Sequence, residues 1–317
     1  MSPEVRKAAE ILRAGGLVAF PTETVYGLGA DAASENAVAR LYSVKRRPAD
    51  HPVIIHFASP GEAFSWAREI PRSAAELAER FWPGPLTLIL RRSARAKDFV
   101  TGGQDTVGLR LPSHPVARAL LNAFSNGVAA PSANRFGHVS PTTAAHVRGD
   151  LGGEIDAVLE GGASEVGIES TIVDLSGASP VLLRPGHVSK EELESVVGPV
   201  AERTSTSPRH SGGLEHHYAP RTPARLVPTH GLDKAIAESK VRVAVLAFSR
   251  PDERVAAWLR MPREPQAYAQ RLYAALRELD AAGCERILVE APPESAEWDA
   301  VQDRLKRACE RGRNISS

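Results

Sequence analysis

Residues 15–31 read Gly15-Gly16-Leu17-Val18-Ala19-Phe20-Pro21-Thr22-Glu23-Thr24-Val25-Tyr26-Gly27-Leu28-Gly29-Ala30-Asp31. The apolar run at 17–20 predicts a buried strand. The glycines before it end a helix whose apolar face is Val5, Ala8, Ile11 and Leu12. Pro21 has no N–H for a ladder and stops the strand. Two hydroxyls, a carboxylate and a phenol follow, then Gly27 and Gly29. Open α/β sheets present ligand sites in this way, at the carboxyl ends of strands. An ordinary turn after a strand uses the same residues, and this stretch alone leaves both readings open.

The device recurs at Val128-Ala129-Ala130-Pro131-Ser132-Ala133-Asn134. Around it the pattern predicts strands at 52–57, 86–90, 106–111, 157–159, 170–174 and 181–184. Helices are predicted at 37–44, at 64–81 with a break at Pro71, at 116–124, and from Ser140 through Val147. This mixture predicts one α/β domain around a twisted mixed sheet over residues 1–200. Over 201–220 the periodicity fades. Residues 204–213 have linker composition, but Leu214-Glu215-His216-His217-Tyr218-Ala219-Pro220 is too aromatic and His-rich for a plain spacer. Residues 221–317 predict a small doubly wound, Rossmann-like domain, with strands at 241–248 and 287–289 and helices at 267–279 and 298–308. It has no Gly-x-Gly-x-x-Gly fingerprint.

A chain of 317 residues with 43% hydrophobic residues has ample material for two cores. Its formal charge of +1 argues against a nucleic-acid-coating protein while leaving room for a local basic cleft. Cys284 and Cys309 lack metal-ligand spacing and fit a reducing compartment. No run is apolar enough to span a membrane, and the start has no secretory core, so the expected location is cytoplasmic.

Lys45, Arg47, Arg110 and Arg184 each stand at the edge of a predicted element. If the strand ends converge, four cations line one cleft suited to phosphates or carboxylates. Singly, each also reads as a solvated surface charge. Arg110 is the exception, because it interrupts the apolar run of Val107, Leu109 and Leu111, where an idle guanidinium would be costly. His56, at a strand end, fits either a ligand contact or a satisfied structural histidine. No P-loop, His-Glu-x-x-His or cysteine pair is present, and the adjacent His216-His217 is a poor metal pair.

Together these residues resemble the threonylcarbamoyl-AMP synthase (Sua5/YrdC/YwlC) family in its long two-domain form. Lys45-Arg46-Arg47-Pro48 resembles its Lys-x-Arg motif, Ser132-Ala133-Asn134 its Ser-x-Asn motif, and residues 20–29 its signature strand. The resemblance implies a YrdC-like catalytic domain at 1–200, a linker or lid at 201–220 and a Sua5 C-terminal domain at 221–317. It implies that L-threonine, bicarbonate and ATP become L-threonylcarbamoyl adenylate and pyrophosphate. A partner transferase would then carry the threonylcarbamoyl group to adenosine 37 of tRNAs reading ANN codons.

The resemblance also implies roles. Thr22, His56, Arg110, the backbone of Ala130 and Ser170 are expected to hold threonine, with Arg110 on the carboxylate. Lys45, Arg47, Thr106, Ser132, Ser140, Arg184 and Tyr218 are expected to hold ATP, with Asn134 positioning the nucleotide or supporting Ser132. Lys45 and Arg47 are the expected catalytic cations. Magnesium is expected on the phosphates, with no protein ligand assigned. The linker departs from the family pattern: it is about one residue short, with an acid where a base or neutral residue is usual. Direct tRNA contact is a separate expectation, and two rival classes are a double-stranded-RNA-binding module without catalysis and a carbamoyltransferase of the hydrogenase-maturation kind. The latter carries zinc-binding cysteine clusters that this chain lacks.

Overall fold

Ser2 accepts a hydrogen bond from Val5 N–H, and Pro3 fills the first helical turn, so a helix runs Pro3–Arg13. Gly15, at φ 80°, turns the chain out of it. The structure, a computed structural model, describes residues 2–213, 217–251 and 254–309. The segment 214–216, which carries the acid-for-base departure in the linker, lies outside them.

The first unit comprises residues 1–136 and 140–213. Its strands are β1 Val18–Phe20, β2 Gly27–Asp31, β3 Ile54–His56, β4 Leu86–Arg91, β5 Thr106–Arg110, β6 Val128–Ala129, β7 Ala157–Val158, β8 Thr171–Asp174, β9 Val181–Arg184 and β10 Ala201–Glu202. Among the described residues they form one ten-stranded mixed sheet, ordered β10-β9-β8-β4-β5-β3-β6-β2-β1-β7. β3 and β5 run parallel, with Ile54 opposite Gly108 and His56 opposite Arg110. β4 and β8 are also parallel, whereas β1 with β2 and β4 with β5 are antiparallel.

The period-2 alternation of β1 explains its burial on both faces. Val18 and Phe20 pack in one cluster with Val5, Leu12, Leu120 and Phe124, residues of the helices Pro3–Arg13 and Pro115–Phe124. Leu17 and Ala19 point the other way, packing with Leu41, Val44 and Val147 from the helices Glu35–Lys45 and Ala144–Leu151. A strand covered by helices on both faces must be apolar throughout, as residues 17–20 are.

Several elements depart from the sequence expectation. Gly27 and Gly29 belong to β2 rather than to a turn or ligand loop. A Cβ at Gly29 would meet Phe20 Cε1 and Val128 Cγ1, both at 2.9 Å. The glycine is therefore the space that neighbouring side chains occupy. The stretch 64–81 is not one interrupted helix. Helices run Pro60–Phe64 and Arg72–Phe81, and between them Ala67 bridges Arg92 in antiparallel fashion. The helix expected from Ser140 starts later, capped by Thr143, whose side chain accepts from His146 N–H. The helix Lys190–Val197 was not anticipated, although Ser189 and Glu192 form a complete capping box.

The second unit comprises residues 137–139 and 214–317. Its strands β11 Ala224–Val227, β12 Val243–Ala247, β13 Ala257–Arg260 and β14 Arg286–Glu290 form an all-parallel sheet ordered β11-β14-β12-β13. Residues 137–139 belong here through Ala219 N–H, which donates to Gly137 O at 2.9 Å, and a parallel bridge between His138 and Ala219. Arg277 donates to the Val139 carbonyl.

Gly29→Val should destabilise the protein by about 1–3 kcal/mol through overpacking against Phe20 and Val128. Gly61→Ala, in the helix Pro60–Phe64 with nothing within 4 Å of its added Cβ, should instead gain roughly 0.5–1 kcal/mol. Urea-unfolding midpoints of the two variants against the parent check both signs.

Candidate active site

One buried ion pair joins the loop after β1 to the end of β5. Arg110 Nη2 donates to Glu23 Oε1 at 2.6 Å, and both side chains are about 5% exposed or less (5% and 4%). Glu23 Oε2 accepts from Ser113 N–H at 3.0 Å, and Arg110 Nε donates to Gly84 O at 3.4 Å. Nη1 of Arg110 makes no hydrogen bond among the described residues. Glu23 has no role in the sequence-based expectations. The signal was present, because two opposite charges that both fall in apolar surroundings must find each other or an equivalent partner.

His56 lies beside Arg110 by register and is 3% exposed. Burial, and then the neighbouring Arg110 charge, hold its imidazole well below the usual histidine range. It is therefore neutral near pH 7, edge-on to Phe20, and its Nδ1 has no hydrogen-bond partner among the described residues. Thr22 is buried at the start of the same loop. Its hydroxyl donates to Val25 O at 2.6 Å and lies 2.9 Å from Thr24 Oγ1. Ala130 N–H donates to Ile54 O, tying the second strand-to-polar device to β3.

A second chain of contacts carries the other cations. Arg184 donates through Nε to Ser170 O at 3.0 Å, through Nη2 to Ser170 Oγ at 3.2 Å, and through Nη1 to Ser211 O at 2.8 Å. Ser170 Oγ also lies 2.8 Å from Thr87 Oγ1. Ser211 Oγ donates to Pro52 O, the same carbonyl that accepts from Arg47 Nη2 at 2.7 Å. The end of the linker thus connects Arg184 to Arg47 within the first unit. Arg209 N–H donates to Gln104 Oε1 at 2.7 Å and fastens the segment further. Arg47 also stacks over Phe136, 5.2 Å from the ring centre. Sequence reasoning assigned nothing to Glu23, Thr87, Ser211 or Phe136.

Lys45 is fully buried, and its Nζ donates to the carbonyls of Ser132 and Asn134, each at 2.5 Å. Burial, and then the nearby Arg47 charge, push its ammonium well below the usual lysine range. Lys45 therefore latches the Ser-x-Asn loop onto the C-terminal end of the helix Glu35–Lys45. Asn134 Nδ2 donates to Arg135 O at 2.8 Å. Ser140 donates to Glu169 Oε1 at 2.5 Å, one residue before Ser170.

Two sequence-predicted residues stand apart from this constellation. Thr106 begins β5 opposite Arg91, at the other end of the strand from Arg110, roughly 13 Å away at about 3.3 Å per residue. Tyr218 belongs to the second unit, with φ 63° and only 1% exposure. Its ring packs against His217 and Tyr273, with centroids 4.2 and 5.8 Å away, beneath the Arg304 guanidinium at 5.4 Å. Among the described residues, no group of three or more His, Cys, Asp or Glu is arranged to hold a metal. No described helix is long and apolar enough to cross a membrane.

Residues 10–186 match the Sua5_yciO_yrdC family model, described as telomere recombination. Residues 188–309 match the Sua5_C model, the threonylcarbamoyl-AMP synthase C-terminal domain. The chain belongs to the threonylcarbamoyl-AMP synthase family. A threonylcarbamoyl-AMP synthase of Pyrococcus abyssi is 42% identical over 96% of this chain and 94% of that protein. One of Bacillus subtilis is 37% identical over 96% and 93%. The crystal structure of P. abyssi Sua5 complexed with L-threonine superposes with a TM-score of 0.91 at 40% identity, covering 96% of this chain and 94% of that one. As a member of this synthase family the chain is an enzyme of nucleotidyltransferase type, and the mixed-sheet unit followed by a parallel-sheet unit is the two-domain Sua5 architecture.

Glu23→Ala should cost about 3–5 kcal/mol of stability, because it leaves the Arg110 guanidinium buried without its counter-charge. Chemical denaturation measures the loss. His56 binds its proton less readily folded than unfolded, so stability should fall as pH drops from 6.5 toward its depressed value. Replacing His56 with Gln should flatten that arm of the melting-temperature profile. Parallel profiles for the two proteins would assign the acid loss to other groups.

Proposed function

We propose that the protein makes L-threonylcarbamoyl adenylate and pyrophosphate from L-threonine, bicarbonate and ATP. It would act in the cytoplasm and supply a transferase that modifies adenosine 37 of tRNAs reading ANN codons; a direct tRNA contact is part of the same proposal. The observation that carries the reading is the buried trio of Glu23, Arg110 and neutral His56, in which Glu23 pairs with Arg110 and His56 lies opposite Arg110 by strand register. It offers a free guanidinium face and an imidazole acceptor at one strand end, the pair of groups that an α-carboxylate and an amine or hydroxyl require. The kinship with a Sua5 solved with L-threonine supports the same assignment.

In this reading Arg110 takes the threonine carboxylate, with Glu23 fixing the guanidinium plane through Nη2. Thr22, His56, the backbone of Ala130 and Ser170 complete the threonine site. The threonine amine attacks bicarbonate, giving a carbamate and water, and the carbamate oxygen attacks the α-phosphate as pyrophosphate leaves. Two anions must approach each other, which calls for fixed cations and exclusion of water. Lys45, Arg47 and Arg184 supply the cations, with Thr106, Ser132, Asn134, Ser140 and Tyr218 as the remaining nucleotide contacts. Lys45 commits two of its three N–H donors to Ser132 and Asn134, leaving one for a phosphate oxygen. Tyr218 reaches a nucleotide only if its ring leaves the packing against Tyr273 and Arg304. Magnesium fits best as an ion carried in by the ATP phosphates and their water, since the described residues offer no acidic cage. Bound there, it neutralises phosphate charge.

The deciding assay incubates the protein with ATP, bicarbonate and labelled threonine, without RNA. A threonine-dependent adenylate and pyrophosphate are expected, and their absence from a folded, threonine-binding preparation overturns the proposal. Arg110→Ala should weaken threonine binding by roughly 1.5–3 kcal/mol while leaving ATP binding nearly intact. Because Glu23 is then buried unpaired, the double variant Arg110→Ala/Glu23→Gln separates folding from binding. Lys45→Ala should lower turnover at saturating ATP on the order of a hundredfold. A change confined to apparent ATP affinity would assign Lys45 to uniform binding.

A further inference from the structure

A cavity of about 490 Å³ opens in the second unit. It sits where the ends of β11, β14 and β12 run out into the loops carrying Pro228, Ala291 and Phe248. These three strands are neighbours and parallel, so their carboxyl ends share one edge, the edge at which open α/β sheets hold ligands. The volume falls within the range of small-molecule sites.

Its floor carries an uncompensated charge. Glu290, the last residue of β14, is 6% exposed. One carboxylate oxygen accepts from Phe248 N–H at 2.8 Å, and among the described residues no cation pairs with it. A buried carboxylate with a single neutral donor is expensive unless a ligand completes it. The rest of the floor is aromatic. Phe248 and Trp298 meet edge to face with centroids 5.8 Å apart, and Tyr268 packs on both. The Tyr268 hydroxyl, in a residue 1% exposed, also has no hydrogen-bond partner among the described residues. The rim carries the opposite charge. Arg263 lies 5.6 Å from the Phe248 ring centre, donates to Ser249 Oγ at 3.1 Å and forms no ion pair among the described residues.

We propose that this cavity binds a small zwitterion of the free α-amino-acid class, its ammonium on Glu290, its carboxylate on Arg263 and its side chain against Phe248 and Trp298. A carboxylate floor disfavours a phosphate group, and the loop after β11, Pro228-Thr229-His230-Gly231, is not a glycine-rich phosphate cradle. A negative floor, a positive rim and aromatic walls together select a molecule that carries both charges and an apolar part.

The test uses the full chain and ligand-observed NMR with the free L-amino acids. L-threonine is left out so that the first unit's site stays silent. Glu290→Gln keeps an acceptor for Phe248 N–H while removing the charge, and Arg263→Ala removes the rim cation. At least one amino acid should bind the parent protein, and each variant should weaken it by about ten- to a hundredfold. The deaminated acid of the same side chain should not bind, and L-threonine affinity, measured separately, should be unchanged in both variants. The proposal fails if no amino acid binds, or if Glu290→Gln binds it as tightly as the parent. It also fails if adenosine or AMP, but no amino acid, occupies the cavity in a Glu290-dependent way.

Discussion

Arg110 and Glu23 hold opposite full charges 2.6 Å apart where water scarcely reaches. Neither could be buried alone, since an unpaired ion in such surroundings costs several kcal/mol. The pair binds the loop after β1 to the end of β5, and so joins distant parts of the sheet at one point. Much around it follows from that constraint. His56, next to Arg110 by register, is driven neutral by burial and by its neighbour's charge. Ser113 turns its N–H onto the free oxygen of Glu23. The carboxylate leaves part of the guanidinium uncommitted, so the arginine is oriented without being used up.

The same economy appears at Lys45, where an ammonium is held by two main-chain carbonyls rather than by a carboxylate. Carbonyl dipoles orient a charge without cancelling it, and Arg47 close by keeps the local potential positive. The site therefore contains cations fixed in three ways: by a carboxylate at Arg110, by carbonyls at Lys45, and by carbonyls and an aromatic face at Arg47.

Much of this was legible in the sequence. The run at 17–20, stopped by Pro21, is β1, and the guanidinium amid Val107, Leu109 and Leu111 is a buried charge paired with Glu23. What escaped did so for physical reasons. β2 is hidden because its glycines make room for Phe20 and Val128, and a strand that surrenders its side chains to neighbours loses its apolar signature. In the second unit the central strands β12 and β14 were read, while β11 and β13 were not. Those two are the sheet edges, where Arg225 and Arg260 are exposed and the apolar pattern thins. Ser211 lies in a stretch of linker composition, and its place between Arg184 and Pro52 depends on pairings more than twenty residues apart in sequence.

Residues 137–139 lie directly after the Ser-x-Asn motif, yet they belong to the second unit. The peptide therefore leaves the first unit, returns at Ser140, and leaves again after Gly213. During synthesis the ribosome finishes this short excursion long before it makes Ala219, which donates to Gly137 O, or Arg277, which donates to the Val139 carbonyl. The loop between the Ser-x-Asn motif and Ser140 thus acquires its final hydrogen bonds only when the last third of the protein has emerged. Completion of the second unit thus takes up a tripeptide that was synthesised well before the rest of that unit.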